Sequence, residues 1–192
     1  MQQAITRRPR YVPLAVEPGA RFHLLLLESA EGAASAFATG SAPADYDELW
    51  TIERRSAAIP CDGEGARAHG FRAASHMLIA LRRRLAHEQM GLRLHAAGSE
   101  HFLWDVARVA EEAGLGEDEY ALAPCGAAGR RVFCVHCRTT NEGVAASLAE
   151  CRGCGAMLFV RDHFSRRLNA FMGVQVDAEV PGERPDIEGR HV

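Results

Sequence analysis

The sequence CVHC at 134–137 and the sequence CRGCG at 151–155 decide how the C-terminal part of this chain folds. Each is a Cys-x-x-Cys knuckle, a tight turn that points two thiolates at one cation, and two knuckles complete a closed tetrahedral site. The 13 residues between them, 138–150, are enough for a hairpin. Four thiolates leave no open position for water, which disfavours a catalytic zinc ion. The predicted metal ligands are Cys134, Cys137, Cys151 and Cys154.

The ligand set alone leaves the identity of the metal open, because four thiolates suit zinc and also a single iron ion of the rubredoxin type. The stretch 138–150 has no aromatic residue and is mostly small and polar. An electron-transfer iron centre usually has a more apolar shell that sets its potential. We therefore expect structural zinc and keep iron as the alternative. His136, inside the first knuckle, is expected at the surface or as a donor to a ligand, not as a fifth ligand.

The composition of the 192 residues narrows the class of protein. Four of the six cysteines lie in the knuckles, a pattern typical of intracellular metal ligands and not of a secreted disulfide framework. A formal charge of −3 and a pI near 6.3 argue against a general nucleic-acid or membrane-surface binder. No targeting segment is evident, and the apolar run Leu24–Leu27 is too short to span a bilayer. A cytoplasmic protein is expected.

Hydrophobic periodicity before residue 130 alternates between helices and strands, which predicts an α/β fold with a parallel sheet. The predicted strands are 22–27, 49–52, 92–96 and 120–123, and the predicted helices are 71–85 and 99–113. Pro60 and three glycines predict a loop over 59–70. In the second part, a hairpin strand is predicted at 157–160 and a helix at 162–172, because Phe164, Leu168 and Phe171 share a helical face.

These elements predict four segments in the chain. The segments are an extended N-terminal arm (1–20), a Rossmann-like α/β domain (21–129), a four-cysteine zinc-ribbon module ending in a helix (130–175) and a flexible tail (176–192). The large apolar side chains of the predicted C-terminal helix exceed what a small metal module can bury, so that helix is expected to dock on a partner subunit. The alternative is that these side chains pack back onto the Rossmann-like domain.

Residues 91–123 resemble the last β-α-β unit of the nucleotide-binding half of ferredoxin-reductase-type flavoenzymes. Ala97-Gly98-Ser99 stands where that family has Cys-Gly-Pro, and Phe102-Leu103 opens the following helix as in the family. The family's cysteine is Ala97 here, and the early strand is not followed by a complete G-x-G-x-x-G, since only Gly63-Glu-Gly65 is present. The resemblance implies a degenerate Rossmann-like shape without retained nicotinamide binding, so no cofactor-binding residue is assigned.

A second resemblance covers the C-terminal region more closely. The two knuckles, the stretch Val160-Arg-Asp-His-Phe-Ser-Arg-Arg167 and the stretch Met172-Gly-Val-Gln-Val-Asp177 are similar to the small subunit family of bacterial dimethylamine monooxygenase. This resemblance implies a subunit of a multi-subunit oxidoreductase that N-demethylates a secondary methylamine with O2 and NAD(P)H. It also implies that haem and flavin belong to partner subunits and that the chain works in a hetero-oligomer.

Three classes of function are therefore open. The first is a zinc-stabilised assembly subunit of that complex, with no catalytic residue of its own. The second is a rubredoxin-like iron protein that passes electrons to an oxygenase. The third, a zinc ribbon that binds nucleic acid, is disfavoured by the acidic pI and by the lack of a basic stripe near the knuckles.

Overall fold

The computed structural model describes residues 10–29, 33–38, 43–52, 67–88, 90–126, 129–165 and 167–178. These residues form two compact units, 10–126 and 129–178, and each unit has its own β-sheet. The helices and strands confirm the predicted α/β class. Neither α-helix in the described residues has the length and apolar character needed to cross a membrane.

The first unit is built on five parallel strands. Its elements are β1 (Phe22–Leu27), β2 (Glu48–Ile52), β3 (Arg67–Phe71), α1 (Ala74–Leu85), β4 (Leu92–Gly98), α2 (Glu100–Glu112) and β5 (Tyr120–Pro124). The strand order is β3-β2-β1-β4-β5, and all four pairings are parallel. β1 lies at the centre because its continuous apolar run suits a strand that is covered on both faces.

Both α-helices pack on one face of this sheet, where they bury the apolar stripes that their sequences predict. In α1 the buried positions are Met77, Leu81 and Leu85, and in α2 they include Phe102 and Val106. The helical spacing of these residues places them toward the strands, where burial of each large apolar side chain stabilises the fold by about 1.5 to 3 kcal/mol.

The opposite face of the sheet is covered by irregular segments. Two short 3-10 helices, Ala33–Ala36 and Pro43–Asp45, lie between β1 and β2. Leu14 is fully buried there, and its backbone N–H donates to the carbonyl of Ala36 at 2.7 Å. The described part of the predicted N-terminal arm, residues 10–20, is therefore packed into the unit, while residues 1–9 lie outside the described residues.

A buried polar cluster lies on this face. His23 of β1 and His95 of β4 are joined by a contact of 3.0 Å between Nδ1 of His23 and Nε2 of His95. The ring of Tyr46 packs edge-on against His95, with 4.9 Å between the centroids. Burial lowers the pKa of His95 to about 4, and the charges of His23 and Arg93 add to this effect. His95 therefore stays neutral in the folded protein at neutral pH.

This pKa predicts that the first unit loses stability in mild acid. The folded-state pKa of about 4 lies below the ordinary value of 6.5, so the unfolded chain binds more protons between these two pH values. The contribution of neutral His95 is complete above pH 6.5 and is lost as the pH falls toward 4. We expect a loss of about 2 to 3 kcal/mol between pH 7 and pH 4.5, measured by urea unfolding.

A His95→Gln variant should flatten this part of the pH profile, since glutamine does not titrate. His76→Gln is the matched control, because His76 lies exposed on α1 and its replacement should keep the wild-type profile. An unchanged acid slope in His95→Gln would show that other groups cause the effect.

Two predicted boundaries in the first unit are wrong. The loop predicted over 59–70 ends earlier, because residues 67–71 form β3, which pairs with β2 at the sheet edge; residues 59–66 lie outside the described residues. β3 lacks an apolar alternation that would predict a strand; its backbone pairs with β2, and the rings of His69 and Phe71 pack against Trp50. The helix predicted from residue 71 begins at Ala74, because Phe71 ends β3 and its ring packs 5.0 Å from that of Trp50.

The second unit contains five shorter strands in a mixed sheet. They are β6 (Arg130–Cys134), β7 (Thr140–Val144), β8 (Leu148–Glu150), β9 (Met157–Ser165) and β10 (Ala170–Gln175). The order is β7-β6-β10-β9-β8. β6 and β10 are parallel, and the other three pairings are antiparallel. Two hairpins, β6–β7 and β8–β9, therefore lie on either side of β10.

The helix predicted over 162–172, which ended the predicted module, is wrong. β9 continues to Ser165, a turn follows, and β10 begins at Ala170. Phe164 and Phe171 face each other across the two strands, with ring centroids 5.1 Å apart, and both are buried. Cross-strand pairing of aromatic rings stabilises a sheet, and here it overrides a local spacing that also fits a helix. Leu168, the third residue of the predicted helical face, lies exposed in the turn.

The predicted flexible tail begins one residue after β10. Residues 176–178 are described and follow the strand with a turn, while residues 179–192 lie outside the described residues.

Candidate metal centre

The four predicted ligands come together at the turns of two hairpins. Cys134 is the last residue of β6, and Cys137 lies in the turn that leads to β7. Cys151 follows β8, and Cys154 lies in the turn that leads to β9. The structure thus brings all four sequence-predicted ligands into one cluster.

The spacing of the sulfur atoms suits a tetrahedral metal. All four Sγ atoms lie within 4.8 Å of one another. Two of the pairs cross between the knuckles, with 3.5 Å from Cys137 to Cys151 and 3.9 Å from Cys134 to Cys154. Sulfur atoms bonded at about 2.3 Å to a tetrahedral ion are about 3.8 Å apart. The four residues could therefore hold one ion with little rearrangement.

The two knuckles repeat the same backbone pattern. In the first, the N–H of Arg138 donates to the carbonyl of Cys134, and in the second the N–H of Gly155 donates to the carbonyl of Cys151, each at 2.9 Å. Arg138 and Gly155 both have positive φ, 64° and 72°. Glycine adopts this conformation without strain, whereas a residue with a Cβ rarely does. The sequence showed the glycine at 155, but the equivalent role of Arg138 is visible only in the structure.

Gly153 is the residue of the second knuckle that has no room for a side chain. A Cβ on Gly153 would collide with the Thr139 side chain and would lie 3.1 Å from the Sγ of Cys137. The close approach of the second knuckle to the first therefore requires glycine here.

Asn141 of β7 is a polar residue of the centre that sequence reasoning missed. It is almost completely buried. Its side-chain oxygen accepts the N–H of Arg152 at 2.8 Å, and its side-chain nitrogen lies 3.6 Å from the Sγ of Cys151. No spacing rule for metal ligands includes an asparagine four residues after a knuckle, so no sequence pattern predicts this role for Asn141.

The thiols perturb one another's protonation. Burial raises the pKa of Cys151, but hydrogen bonds from the backbone of Cys154 and Gly153 and from Asn141 outweigh this and lower the pKa to about 6. Backbone hydrogen bonding at Ala156 lowers the pKa of Cys154, yet desolvation and the neighbouring thiols together raise it to about 12. The cluster retains protons at neutral pH in the absence of a cation, and a divalent cation would displace them.

Burial is uneven across the centre. Cys134 and Cys151 are buried, Cys137 is half-buried and Cys154 is exposed. His136 is also exposed and lies outside the cluster, in agreement with its expected place at the surface. Cys125 lies in the first unit, where burial and the charge of Glu28 raise its pKa; Cys61 lies outside the described residues. In the described part of the chain, no other group of three Cys, His, Asp or Glu residues could hold a metal.

The first unit has a polar cluster of its own at the carboxyl ends of β1 and β4. The Oε2 of Glu28 accepts the backbone N–H of Ser99, the residue before α2, at 2.5 Å. The Oε1 of Glu28 lies 3.6 Å from Nε2 of His101, and Ser99 Oγ lies 3.0 Å from Nδ1 of His101. Gly98 permits this approach, because a Cβ there would lie 2.6 Å from the Glu28 side chain. In open parallel sheets, ligands bind at the carboxyl ends of the strands, where the strand order reverses. In this sheet the order reverses between β1 and β4, where the cluster lies.

Comparison with known proteins shows that both parts of the chain match one protein family. Residues 3–120 match the family described as dimethylamine monooxygenase subunit DmmA-like, N-terminal domain. Residues 131–174 match its C-terminal domain. A protein of Ectopseudomonas mendocina (strain ymp), named heme-dependent oxidative N-demethylase delta subunit, is 40% identical over 111 residues, which are 58% of this chain and 63% of that relative. The chain therefore spans less than two thirds of the relative's length. No solved structure matches the chain.

Proposed function

The chain belongs to the dimethylamine monooxygenase subunit DmmA-like family, and on this basis we propose that it is a non-catalytic subunit of a multi-subunit oxidoreductase. The complex would N-demethylate a secondary methylamine with O2 and NAD(P)H. The observation that carries this proposal is that both parts of the chain match the family, together with a relative that is named a subunit of an oxidative N-demethylase. Haem and flavin are assigned to partner subunits in this proposal.

Co-purification tests the role as a subunit. The tagged chain is expressed together with the other genes of its own gene neighbourhood, and the proposal predicts a stable complex that contains haem and oxidises a secondary methylamine. The chain alone should show no such activity. Activity of the complex without this chain, with no change in assembly or rate, would contradict the proposal.

Within that subunit, the four cysteines are proposed to hold one structural zinc ion. The all-thiolate donor set leaves no position for water or substrate, which fits a structural site. The ligands come from two hairpins that lie on either side of β10, so the ion would fasten the hairpins together at one end of the sheet. Cys134, Cys137, Cys151 and Cys154 would each supply one thiolate.

An electron-transfer role with iron is the alternative, and the exposure of Cys154 favours it. A ligand sulfur at the surface shortens the path for an electron to a partner protein. Hydrogen bonds to Cys151 from the N–H of Gly153 and from Asn141 would also tune a redox potential. An iron-loaded protein would be red, with thiolate-to-iron absorption that bleaches on reduction, whereas a zinc protein is colourless.

The first unit, over about residues 21–129, is proposed to be a degenerate Rossmann-like domain that no longer binds a nucleotide. The parallel strand order β3-β2-β1-β4-β5 supports the Rossmann-like assignment. The loss of nucleotide binding is supported by Glu28, whose carboxylate already accepts the Ser99 N–H where an anionic ligand would bind. A phosphate at this position would also meet the negative charge of Glu28.

We therefore expect that the isolated chain does not oxidise NADH, even with added flavin and an electron acceptor. The absorbance of NADH should decrease no faster than it does in the protein-free control. The physical reasons are the Glu28 carboxylate at the β1–β4 edge and the presence of Ala97 where the reductase resemblance has a cysteine. Measurable NADH oxidation that depends on the chain would overturn this part of the proposal.

A further inference from the structure

The two knuckles belong to hairpins that strand pairing does not join directly. The strand order β7-β6-β10-β9-β8 places β10 between the β6–β7 hairpin and the β8–β9 hairpin. The four Sγ atoms of the two knuckles nevertheless lie within 4.8 Å of one another. The sheet joins the two hairpins only through β10, so direct contacts between the hairpins also help to hold the second knuckle over the first.

Asn141 makes such a contact. Its backbone belongs to β7 of the first hairpin, opposite Val132 of β6. Its side chain reaches two atoms of the second knuckle, because Oδ1 accepts the Arg152 N–H at 2.8 Å and Nδ2 lies 3.6 Å from Sγ of Cys151. The amide nitrogen also lies 3.3 Å from the carbonyl of Val132 and 3.4 Å from that of Thr139, so the same group is anchored on the first hairpin.

Burial makes these contacts hard to replace. Asn141 is only 1% exposed, so water cannot substitute for a lost partner without opening the unit. An unpaired buried donor or acceptor costs about 1 to 3 kcal/mol. Turning the Asn141 side chain away would leave its own buried amide in that state and would remove the acceptor of the Arg152 N–H.

We propose that Asn141 is a positioning residue that docks the second knuckle on the first hairpin and so raises the affinity of the four-cysteine centre for its metal. The inference rests on the proposed metal site. Asn141 acts through Cys151 and Arg152 and does not bind the ion itself. Residues that orient metal ligands in this way typically change metal affinity 10- to 100-fold when they are replaced.

Two variants separate the donor from the acceptor. Asn141→Asp has nearly the same shape and keeps an oxygen for the Arg152 N–H, but it removes the donor to Sγ and places a carboxylate near the thiolate. Asn141→Leu removes both contacts. Glu142→Gln is the matched control, because Glu142 is the next residue of β7, is exposed and pairs with Arg131 at 2.8 Å, away from the thiols.

The measurements are zinc affinity by competition with a chromophoric chelator, the thiolate-to-cobalt absorption of the cobalt-loaded chain and amide hydrogen exchange at Arg152. We expect affinity to fall about 10- to 100-fold in both Asn141 variants, and Arg152 exchange to accelerate in Asn141→Leu while Asn141→Asp keeps its protection. Glu142→Gln should match the wild type. If Asn141→Leu does not fold with saturating metal, the zinc affinity of Asn141→Asp alone tests the proposal.

Wild-type affinity in Asn141→Asp would overturn the positioning role even if the variant melts at a lower temperature, since a residue that only fills the core would lower stability alone. A wild-type chain that takes up neither zinc nor cobalt would overturn the metal site itself. The two failures are therefore distinguishable, because the first requires wild-type metal binding and the second excludes it.

Discussion

Replacing Cys154 with serine is expected to unfold the second unit while the first unit keeps its structure. Cys154 is exposed, so the change from sulfur to oxygen should have little effect unless the sulfur is a metal ligand. Binding of structural zinc contributes on the order of 10 kcal/mol in small zinc-finger peptides. The sheet of β6–β10 has a small core of its own, and units of this size depend on such additional links.

Two-dimensional amide NMR spectra measure this effect unit by unit. In Cys154→Ser, signals of residues 129–178 should collapse to the narrow shift range of unfolded chains, and signals of residues 10–126 should stay in place. Cys125→Ser is the control, because Cys125 is a free thiol of the first unit and has no part in the cluster. A Cys154→Ser spectrum that keeps the dispersed signals of both units would show that the centre does not stabilise the fold.

Replacing Phe171 with alanine is expected to destabilise the second unit by about 3 to 5 kcal/mol. The ring is 1% exposed, packs against Phe164 and lies under the guanidinium of Arg130, whose Cζ is 5.4 Å from its centroid. Removing it leaves a cavity beside Phe164 on the face of the sheet and also removes the aromatic and cation–π contacts. Denaturant unfolding of the metal-loaded chain, followed by a probe in the second unit, measures the change.

Leu168→Ala is the matched control for Phe171→Ala. Leu168 belongs to the turn between the same two strands but is 37% exposed, so its replacement should change stability much less. Equal destabilisation by the two variants would contradict the packing described for β9 and β10. Loss of partner binding in Phe171→Ala without loss of stability would instead restore the idea that this segment docks on another subunit.

The four-cysteine cluster could be predicted from the sequence because its residues follow a local rule. Each Cys-x-x-Cys knuckle closes on itself within a few residues, and two knuckles leave few alternatives for where the thiols meet. The turn conformation of each knuckle also places backbone N–H groups around the sulfur atoms. Asn141 could not be predicted, because its contact with Cys151 and Arg152 depends on how two hairpins approach each other.

The first sheet could be predicted where strands are buried on both faces. The apolar run of β1, the alternation in β4 and the stripes of α1 and α2 are local signals of burial. β3 has no such run, since four of its five residues are exposed, and its pairing with β2 is not a local signal.

The wrong helix at 162–172 shows the limit of periodicity. Phe164 and Phe171 are seven residues apart, a spacing that fits two turns of a helix and also two positions facing each other across a hairpin. Asn169, with a φ of 47°, reverses the chain between them. Which of the two structures forms depends on whether β6 and the rest of the sheet are present to pair with β10, and a local pattern does not carry that information.

The most direct test of the account is the metal content of the chain purified without added metal. Elemental analysis together with an accurate protein concentration should give one zinc per chain, and the four-cysteine variant in which Cys134, Cys137, Cys151 and Cys154 are all serine should give none. About one iron per chain, with a red colour, would favour the electron-transfer role with iron over the structural role with zinc. A wild-type chain that is folded in both units and contains no metal would contradict the central claim.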